Sequence, residues 1–297
     1  MAEFKTMKAK DLHQVSAQQR VLQILSKIFV YAFLGVMALI VIFPFYFMII
    51  SSLKEMDEYR RSTPTLVPEF FDVMNYVEVF QSADLKLEQL FYNTMLVGIV
   101  STVLSLAITI LSAFAFARLE FKGKNALFAA LLATMMIPGE LFTITNYQTV
   151  SNLEWKNTYT VLIVPFLVSI FYIYLLRQNF LQIPNELYLA AKVDGCGDFK
   201  YLCKVMIPLA LPTIISITIL KMMGAWNSYM WPRLVANDDA HRLITNGLRT
   251  AFTNAEGVTD VPVQMAAVAV VSFPLFLVFI FLRKYIMKGV SRSGIKG

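Results

Sequence analysis

The sequence contains little of what catalytic sites and metal centres are built from. Its 297 residues include only two cysteines and two histidines, and charged residues make up only 15%. It has no Gly-x-x-x-x-Gly-Lys-Ser/Thr phosphate loop, no Gly-x-Ser-x-Gly turn and no His-Glu-x-x-His pair. These absences leave an enzymatic function with almost no candidate residues. We therefore expect no catalytic site, no metal site and no cofactor held by this chain.

Apolar residues dominate instead. Hydrophobic residues make up 57% of the chain, and its mean hydropathy is +0.60. Six apolar stretches are long enough to span the hydrocarbon layer of a membrane, which takes about 20 helical residues. Each stretch holds few charges, as membrane insertion requires, because one Asp or Lys at mid-span raises the free energy of insertion by on the order of 3 kcal/mol. We predict an all-α, polytopic membrane protein whose six transmembrane helices lie at about 28–50, 93–117, 126–147, 159–181, 209–230 and 264–287.

The basic residues predict the orientation of these spans. Most Lys and Arg fall in four segments that share one side of the membrane if the N-terminus is cytoplasmic. The long loop 54–88, on the other side, is acidic and is expected to be partly helical. We predict two cytoplasmic termini, with a cytoplasmic segment at 1–27, a transmembrane domain at 28–297 and a cytoplasmic tail at 288–297. The net charge of +6 then reflects topology and calls for no nucleic-acid partner.

A polar segment at 182–208 interrupts the apolar pattern between the fourth and fifth predicted spans. Asn185 and Glu186 follow Pro184, which predicts a helix start. Asn caps unpaired backbone N–H groups, and the Glu carboxylate is stabilised near the positive end of a helix. The segment is therefore longer and more structured than a simple connector between two spans.

The same segment also contains a predicted helix end. Ala190 and Ala191 permit close approach to another surface, and Asp194-Gly195 is a stop signal, because Gly tolerates left-handed geometry. Pro208 is expected to begin the fifth span, where a proline in the first turn is well tolerated. We predict a short helix along the cytoplasmic membrane face. An ordinary amphipathic interfacial helix is the alternative.

This pattern resembles the cytoplasmic coupling loop of ATP-binding-cassette importer permeases. That loop reads Glu-Ala-Ala, three residues, Gly, then about nine residues to Ile-x-Leu-Pro. Here Leu189 replaces the leading Glu, and Glu186, about one turn earlier, is the candidate substitute for its charge. The resemblance implies that the loop docks into an ATPase subunit. The residues it assigns to this coupling are Glu186, Ala190, Ala191, Asp194, Gly195 and Pro208.

The resemblance extends over about 28–297 and is to the carbohydrate-type, type I permeases of this class. Further matches are Met136-Ile137-Pro138-Gly139 in the third span, the run 226–232 that closes the fifth span, and the tail. The resemblance implies that Gly294, Lys296 and Gly297 reach toward the ATPase dimer interface; a frayed basic tail is the alternative. We interpret the two tryptophans of 226–232 as an interfacial aromatic belt, with sugar contact as the alternative.

The resemblance also implies a complex in a prokaryotic inner membrane. Its members are this chain, a second homologous permease, two nucleotide-binding ATPase subunits that bind ATP and Mg, and an extracellular solute-binding protein. The acidic loop 54–88 is the candidate contact for the binding protein, and a solvated loop is the alternative. The implied solute is a sugar or oligosaccharide, or else a glycerol-phosphate ester or polyol. A stand-alone ion-coupled transporter is the alternative from another class, and it is disfavoured because buried carboxylates are scarce.

Two ionisable residues lie within predicted spans, Glu140 in the third and Lys221 in the fifth. Charges inside a membrane usually face the bundle interior or a water-filled cavity and find a partner there. We predict that Glu140, Asn146, Lys221 and Asn227 line the translocation pathway, with Glu140 and Lys221 as a candidate ion pair. A purely structural pair, or a lysine that extends to the interface, is the alternative.

Overall fold

A computed structural model describes residues 17–83, 85–253 and 260–291. All regular structure in these ranges is helical, which confirms the predicted all-α class. The helices are α1 (Ala17–Ser51), α2 (Met56–Tyr59), α3 (Met74–Gln81), α4 (Leu87–Arg118), α5 (Lys124–Thr134), α6 (Thr143–Asn152), α7 (Tyr159–Ile163), α8 (Ile170–Leu181), α9 (Asn185–Val193), α10 (Asp198–Tyr201), α11 (Ile207–Trp226), α12 (Met230–Val235), α13 (Ile244–Thr253) and α14 (Val261–Ser291).

Four continuous helical stretches within the described ranges are long and apolar enough to cross a membrane. They are Leu22–Ser51, Leu87–Arg118, Asp198–Trp226 and Val261–Arg283. Two bent helix pairs pass the same test when each pair is taken together, so length and composition allow four spans, or up to six. The first stretch begins at Leu22, before the predicted start of the first span at 28. Within the bundle, α4 packs mainly against α8 and α11.

The third predicted span, 126–147, is not one continuous helix. Helix α5 ends at Thr134, a 3₁₀ turn follows at Gly139–Phe142, and the two halves of the pair meet at 81°. The cause is Pro138, which has no N–H to donate and which disfavours helical geometry in the preceding residue, Ile137. The span is therefore broken at Pro138-Gly139, and the break is large enough to turn the chain.

The fourth predicted span, 159–181, is broken as well. Helix α7 passes into a 3₁₀ turn at Val164–Phe166, and α8 starts anew at a 45° bend. Pro165 lies in the turn, and the Ser169 hydroxyl caps α8 by accepting a hydrogen bond from the Tyr172 N–H at 3.5 Å. Apolar composition continues across the bend, so the sequence pattern did not show it.

The fifth span begins earlier than predicted. Its helical stretch runs from Asp198 and passes through a π-helical turn at Leu202–Met206, where the Ile207 N–H donates to the Leu202 carbonyl. Pro208 therefore lies in the first turn of α11, as predicted, but the helical stretch that contains α11 begins ten residues earlier, at Asp198. A π turn just before a proline is expected, because the proline can neither donate to nor pack against the carbonyl four residues earlier.

The loop 54–88 is a folded unit and includes α2 and α3, as predicted. Lys54 is only 2% exposed, and its ammonium donates to the Thr65 carbonyl at 2.5 Å. The buried Glu58 carboxylate accepts hydrogen bonds from the Thr65 hydroxyl and, at 3.1 Å, from the Glu69 N–H. Two buried charges thus hold the middle of the loop against its own backbone, as buried charges must be partnered.

At the same end of the bundle, Asn93 of α4 joins three chain segments. Its amide donates to the carbonyls of Ala240 and Arg242 at 2.8 and 2.9 Å, and its oxygen accepts from the Tyr159 hydroxyl at 2.8 Å. Asn93 is fully buried. The groups that bond to Asn93 have few other hydrogen-bond partners in that buried environment. These hydrogen bonds therefore fix the segment 236–243 against α4 and α7.

Candidate coupling site and membrane cavity

Helix α9 has a well-defined start and end. Pro184 occupies the N-cap position and Asn185 is the first helical residue, so the predicted capping role of Asn185 is wrong. At the other end, Gly195 has φ +69°, the Gly195 N–H donates to the Lys192 carbonyl at 3.1 Å, and the Cys196 N–H donates to the Ala191 carbonyl at 2.8 Å. This pair of hydrogen bonds is a Schellman motif, and it confirms the predicted stop at Asp194-Gly195.

The outward face of α9 and its continuation is exposed and largely apolar. Val193 is 88% exposed and Phe199 is 70% exposed, and Leu187 and Leu189 are exposed as well. Among the residues assigned to coupling, Glu186, Ala190, Asp194, Gly195 and Pro208 are exposed, whereas Ala191 packs inward against the core. Exposed apolar surfaces of this kind are where proteins contact partners or the membrane. We call Leu187, Leu189, Val193 and Phe199 the docking face.

The inward face of α9 is clamped to α10. The Tyr188 hydroxyl donates to Asp198 Oδ1 at 2.7 Å, and Lys192 Nζ lies 2.7 Å from the same oxygen. This contact with the Asp198 carboxylate raises the pKa of Lys192, and burial raises the pKa of the Tyr188 hydroxyl. One carboxylate thus holds two side chains of α9, and we call Tyr188, Lys192 and Asp198 the clamp.

Behind the clamp lies a buried cluster that connects α9 to the long helices. The Tyr188 ring packs on Tyr201 with centroids 5.1 Å apart, and Tyr201, which is fully buried, contacts Phe114 of α4. Arg118, at the end of α4, donates to the carbonyls of Phe180 and Ile183 at 3.0 and 2.5 Å. Tyr201 and Arg118 thus link α9 and the end of α8 to α4.

Sequence reasoning missed the clamp and Arg118. Arg118 is one of the basic residues that predict the orientation, and nothing in the sequence shows that it binds the carbonyls of Phe180 and Ile183. Asp198 had a usable signal, since a carboxylate directly after Gly197 suits the first turn of a new helix. The tail residues Gly294, Lys296 and Gly297 lie outside the described residues, so their predicted role stays a prediction.

A cavity of about 400 Å³ lies within the bundle, between α4, α11 and the broken fourth span. Lys221 lines it, and its ammonium donates a hydrogen bond to the Phe166 carbonyl. The wall also contains the aromatic residues Phe166, Tyr172 and Trp231 and the hydroxyls of Ser101, Ser169 and Ser228. We call this the Lys221 cavity. Aromatic faces combined with hydroxyl groups suit a polar organic solute.

The other predicted pathway residues do not meet Lys221. Glu140 lies exposed in the 3₁₀ turn after Pro138, and Asn146 lies exposed on α6. Asn227 donates to the Met223 carbonyl at 3.0 Å and lines a separate cavity of about 540 Å³ beside α13 and α14. Within the described ranges no ion pair joins Glu140 to Lys221.

Trp226 and Trp231 do not form an interfacial aromatic belt. Both are buried, and Trp231 Nε1 donates to the Val161 carbonyl at 2.9 Å while its ring meets Phe166 edge-on. A belt would place these rings against lipid head groups. The belt interpretation is therefore wrong, and of the two rings only that of Trp231 reaches the Lys221 cavity.

These features together define a helical membrane subunit with an exposed helix, α9, at one end and a polar-lined cavity inside. A family model described as binding-protein-dependent transport system inner membrane component matches residues 105–292. The chain belongs to this family. It is an inner-membrane permease of the carbohydrate type of ATP-binding-cassette importer, and it is not itself an enzyme.

Similar proteins agree with this assignment. The chain is 31% identical over 262 residues to an arabinooligosaccharides transport system permease protein of Halalkalibacterium halodurans, covering 88% of this chain and 93% of that protein. It is 31% identical over 259 residues to an sn-glycerol-3-phosphate transport system permease protein of Rhizobium meliloti, covering 85% and 91%. A crystal structure of a bacterial ABC transporter involved in the import of the acidic polysaccharide alginate has the same fold, with a TM-score of 0.81, 21% identity and coverage of 91% and 98%.

Proposed function

We propose that this chain spans the membrane six times with both termini in the cytoplasm, and that it forms a translocation pathway together with a second homologous permease. In this proposal two separate ATPase subunits bind ATP and Mg and drive the transport. An extracellular binding protein delivers the solute, and the loop 54–88 is its docking site. The solute is a sugar or oligosaccharide, in keeping with the arabinooligosaccharide relative.

The observation that carries this proposal is the arrangement of α9. Its outward side presents the docking face, and its inward side is fixed by the clamp and by aromatic packing against Tyr201. A helix that is free on one side and rigidly attached on the other suits a lever that passes a partner's movement into the bundle. We assign coupling to Glu186, Ala190, Ala191, Asp194, Gly195 and Pro208, together with the docking face.

The experiment that tests this proposal is affinity purification of the tagged chain from its native membrane in mild detergent. We expect mass spectrometry to find a nucleotide-binding subunit and a second permease in near-stoichiometric amounts. A chain that purifies alone and transports solute in proteoliposomes without ATP would instead be a stand-alone ion-coupled transporter, and the proposal would be wrong.

A second candidate solute is a glycerol-phosphate ester, or the related polyol. It is favoured by the similarity to the sn-glycerol-3-phosphate permease and by the lysine in the cavity wall. Uptake assays that offer the complex radiolabelled arabinooligosaccharide and glycerol 3-phosphate side by side separate the two candidates.

A further inference from the structure

The Lys221 cavity contains a positive charge that the surrounding chain does not neutralise. None of the residues that line the cavity is an aspartate or a glutamate. The described contacts of the Lys221 ammonium consist of one hydrogen bond to the Phe166 carbonyl, so two of its three N–H donors remain for other acceptors. A carbonyl oxygen carries only a partial negative charge, so the Phe166 carbonyl does not balance the full positive charge of Lys221.

An ammonium group inside a membrane bundle usually faces a cavity or a partner that compensates its charge. Lys221 lies five residues before the C-terminal end of Asp198–Trp226, and its ammonium donates to the Phe166 carbonyl in the 3₁₀ turn that breaks the fourth span. Lysines that serve only solubility or topology lie near helix ends and extend to the interface. Lys221 instead donates to a carbonyl on the cavity wall, where an anionic ligand can reach its ammonium.

The groups around Lys221 match one kind of ligand. Tyr172 and Trp231 offer aromatic faces to an apolar sugar ring face, and Ser101 and Ser228 offer hydroxyls to its hydroxyl groups. A volume of about 400 Å³ accommodates about one or two sugar units and excludes a folded peptide segment. The combination of rings, hydroxyls and one lysine fits a polyhydroxy compound that carries a negative charge.

We propose that the Lys221 cavity is a solute subsite selective for an acidic sugar or polyol, with Lys221 pairing with its carboxylate or phosphate. This inference rests on the proposed transport function and adds the charge class of the solute. In the unloaded cavity the Phe166 carbonyl holds the ammonium in place. An arriving anion takes up the remaining N–H donors, so the site stays open to solute and discriminates by charge.

The test uses the complete complex in proteoliposomes with its binding protein, and two matched pairs of probes. One pair is trigalacturonate and its methyl ester, and the other is glycerol 3-phosphate and glycerol. We expect the acidic member of at least one pair to be taken up at least ~10-fold faster than its neutral counterpart. Uptake that is not faster for the acidic member of either pair overturns the proposal.

Variants then locate the selectivity. Because the binding protein is a separate chain, substitution at Lys221 leaves its choice of ligand untouched. Lys221→Met is expected to lower uptake of the acidic probe at least ~10-fold and to spare the slower neutral uptake, while Lys221→Arg retains most of the acidic uptake. Lys122→Met removes the same charge from an exposed position outside the cavity and is the matched control.

Two results at this stage contradict the proposal. One is unchanged acidic uptake in Lys221→Met, and the other is an equal loss for both members of a pair, which would show that Lys221 supports the structure and does not select the solute by charge. Either result leaves the proposed function standing as long as ATP hydrolysis still responds to the loaded binding protein. Failure of ATPase subunits to join the complex would instead remove the proposed function itself.

Discussion

At the scale of single residues, Gly195 has the most sharply defined role. Its φ of +69° lies in the left-handed region, and an added Cβ would meet no atom within 4 Å. A larger side chain at this position would therefore have enough space. The obstacle to it is the left-handed backbone conformation. A non-glycine residue in this region costs about 1–2 kcal/mol, and a β-branched residue costs more than asparagine.

Gly195→Val is therefore expected to disrupt the end of α9 and to uncouple ATP hydrolysis from uptake. The solute moved per ATP should fall several-fold, while membrane insertion stays normal. Gly195→Asn is the matched control, because asparagine tolerates the left-handed region and should retain most of the coupling. The measurement is uptake and phosphate release in the same proteoliposomes. Equal coupling in Gly195→Val and the wild type would contradict the role given to this turn.

Asp194→Ala tests the neighbouring position. Asp194 is the C-cap residue of α9 and is exposed, so its carboxylate faces outward rather than holding the fold. We expect this variant to insert and assemble normally and to lose coupling, as for Gly195→Val. Normal transport in both variants would contradict the assignment of the Asp194-Gly195 turn to coupling.

Asn93 gives a residue-scale prediction about stability. Asn93→Leu leaves the carbonyls of Ala240 and Arg242 and the Tyr159 hydroxyl without their partner in a buried place. We expect a loss of about 2–4 kcal/mol in the free energy of unfolding, seen as a lower midpoint of thermal unfolding in detergent. Gln89→Ala, at the exposed neighbour that donates to Asn93, is the control and should change stability by less than about 0.5 kcal/mol.

At the scale of elements, the clamp between α9 and α10 decides whether the docking face moves with the bundle. Asp198→Ala removes the acceptor for both Tyr188 and Lys192, so α9 keeps only its aromatic packing. We expect a several-fold fall in solute moved per ATP. Tyr188→Phe keeps the ion pair and the ring stacking, and it should cause a smaller fall. If Asp198→Ala couples normally, the clamp has no part in transmission.

The clamp should also be insensitive to pH near neutrality. The pKa of Lys192 is raised in the folded chain, so its contribution to stability is fully present below the ordinary lysine pKa of about 10.4 and is lost only as pH rises through the folded value. The ratio of uptake to ATP hydrolysis is therefore expected to stay flat from about pH 6 to pH 9. A decline within this range would show that another titrating group controls coupling.

The elements also show what the sequence can and cannot predict. The end of helix α9 was predictable because Gly195 can adopt the left-handed backbone conformation that ends a helix. The break at Pro138 was predictable because proline disfavours helical geometry in the residue before it. The bend in the fourth span was missed because apolar residues continue on both sides of Pro165. The early start of the fifth span was missed because a π turn absorbs the helix-breaking effect of Pro208.

At the scale of the whole molecule, the predicted coupling residues lie together, whereas the predicted pathway residues do not. The coupling residues gather at one end because they are close in sequence. The pathway residues come from different helices, and their placement depends on bends of 81° and 45° that no periodicity reveals. This is why the prediction located a helix at Asn185–Val193 correctly but paired Glu140 with Lys221, and why the carbonyl partners of Arg118 and Lys221 emerged only from the fold.

The central claim is that α9 docks on an ATPase subunit. The most direct measurement is site-specific crosslinking from Val193→Cys, the most exposed position of the docking face, in a chain whose Cys196 and Cys203 are replaced by serine. A short maleimide crosslinker should give an adduct of this chain with the nucleotide-binding subunit. Lys156→Cys, exposed in the segment between α6 and α7, should give none. A purified complex that forms no ATPase adduct from Val193→Cys, or forms one from Lys156→Cys, would contradict the account.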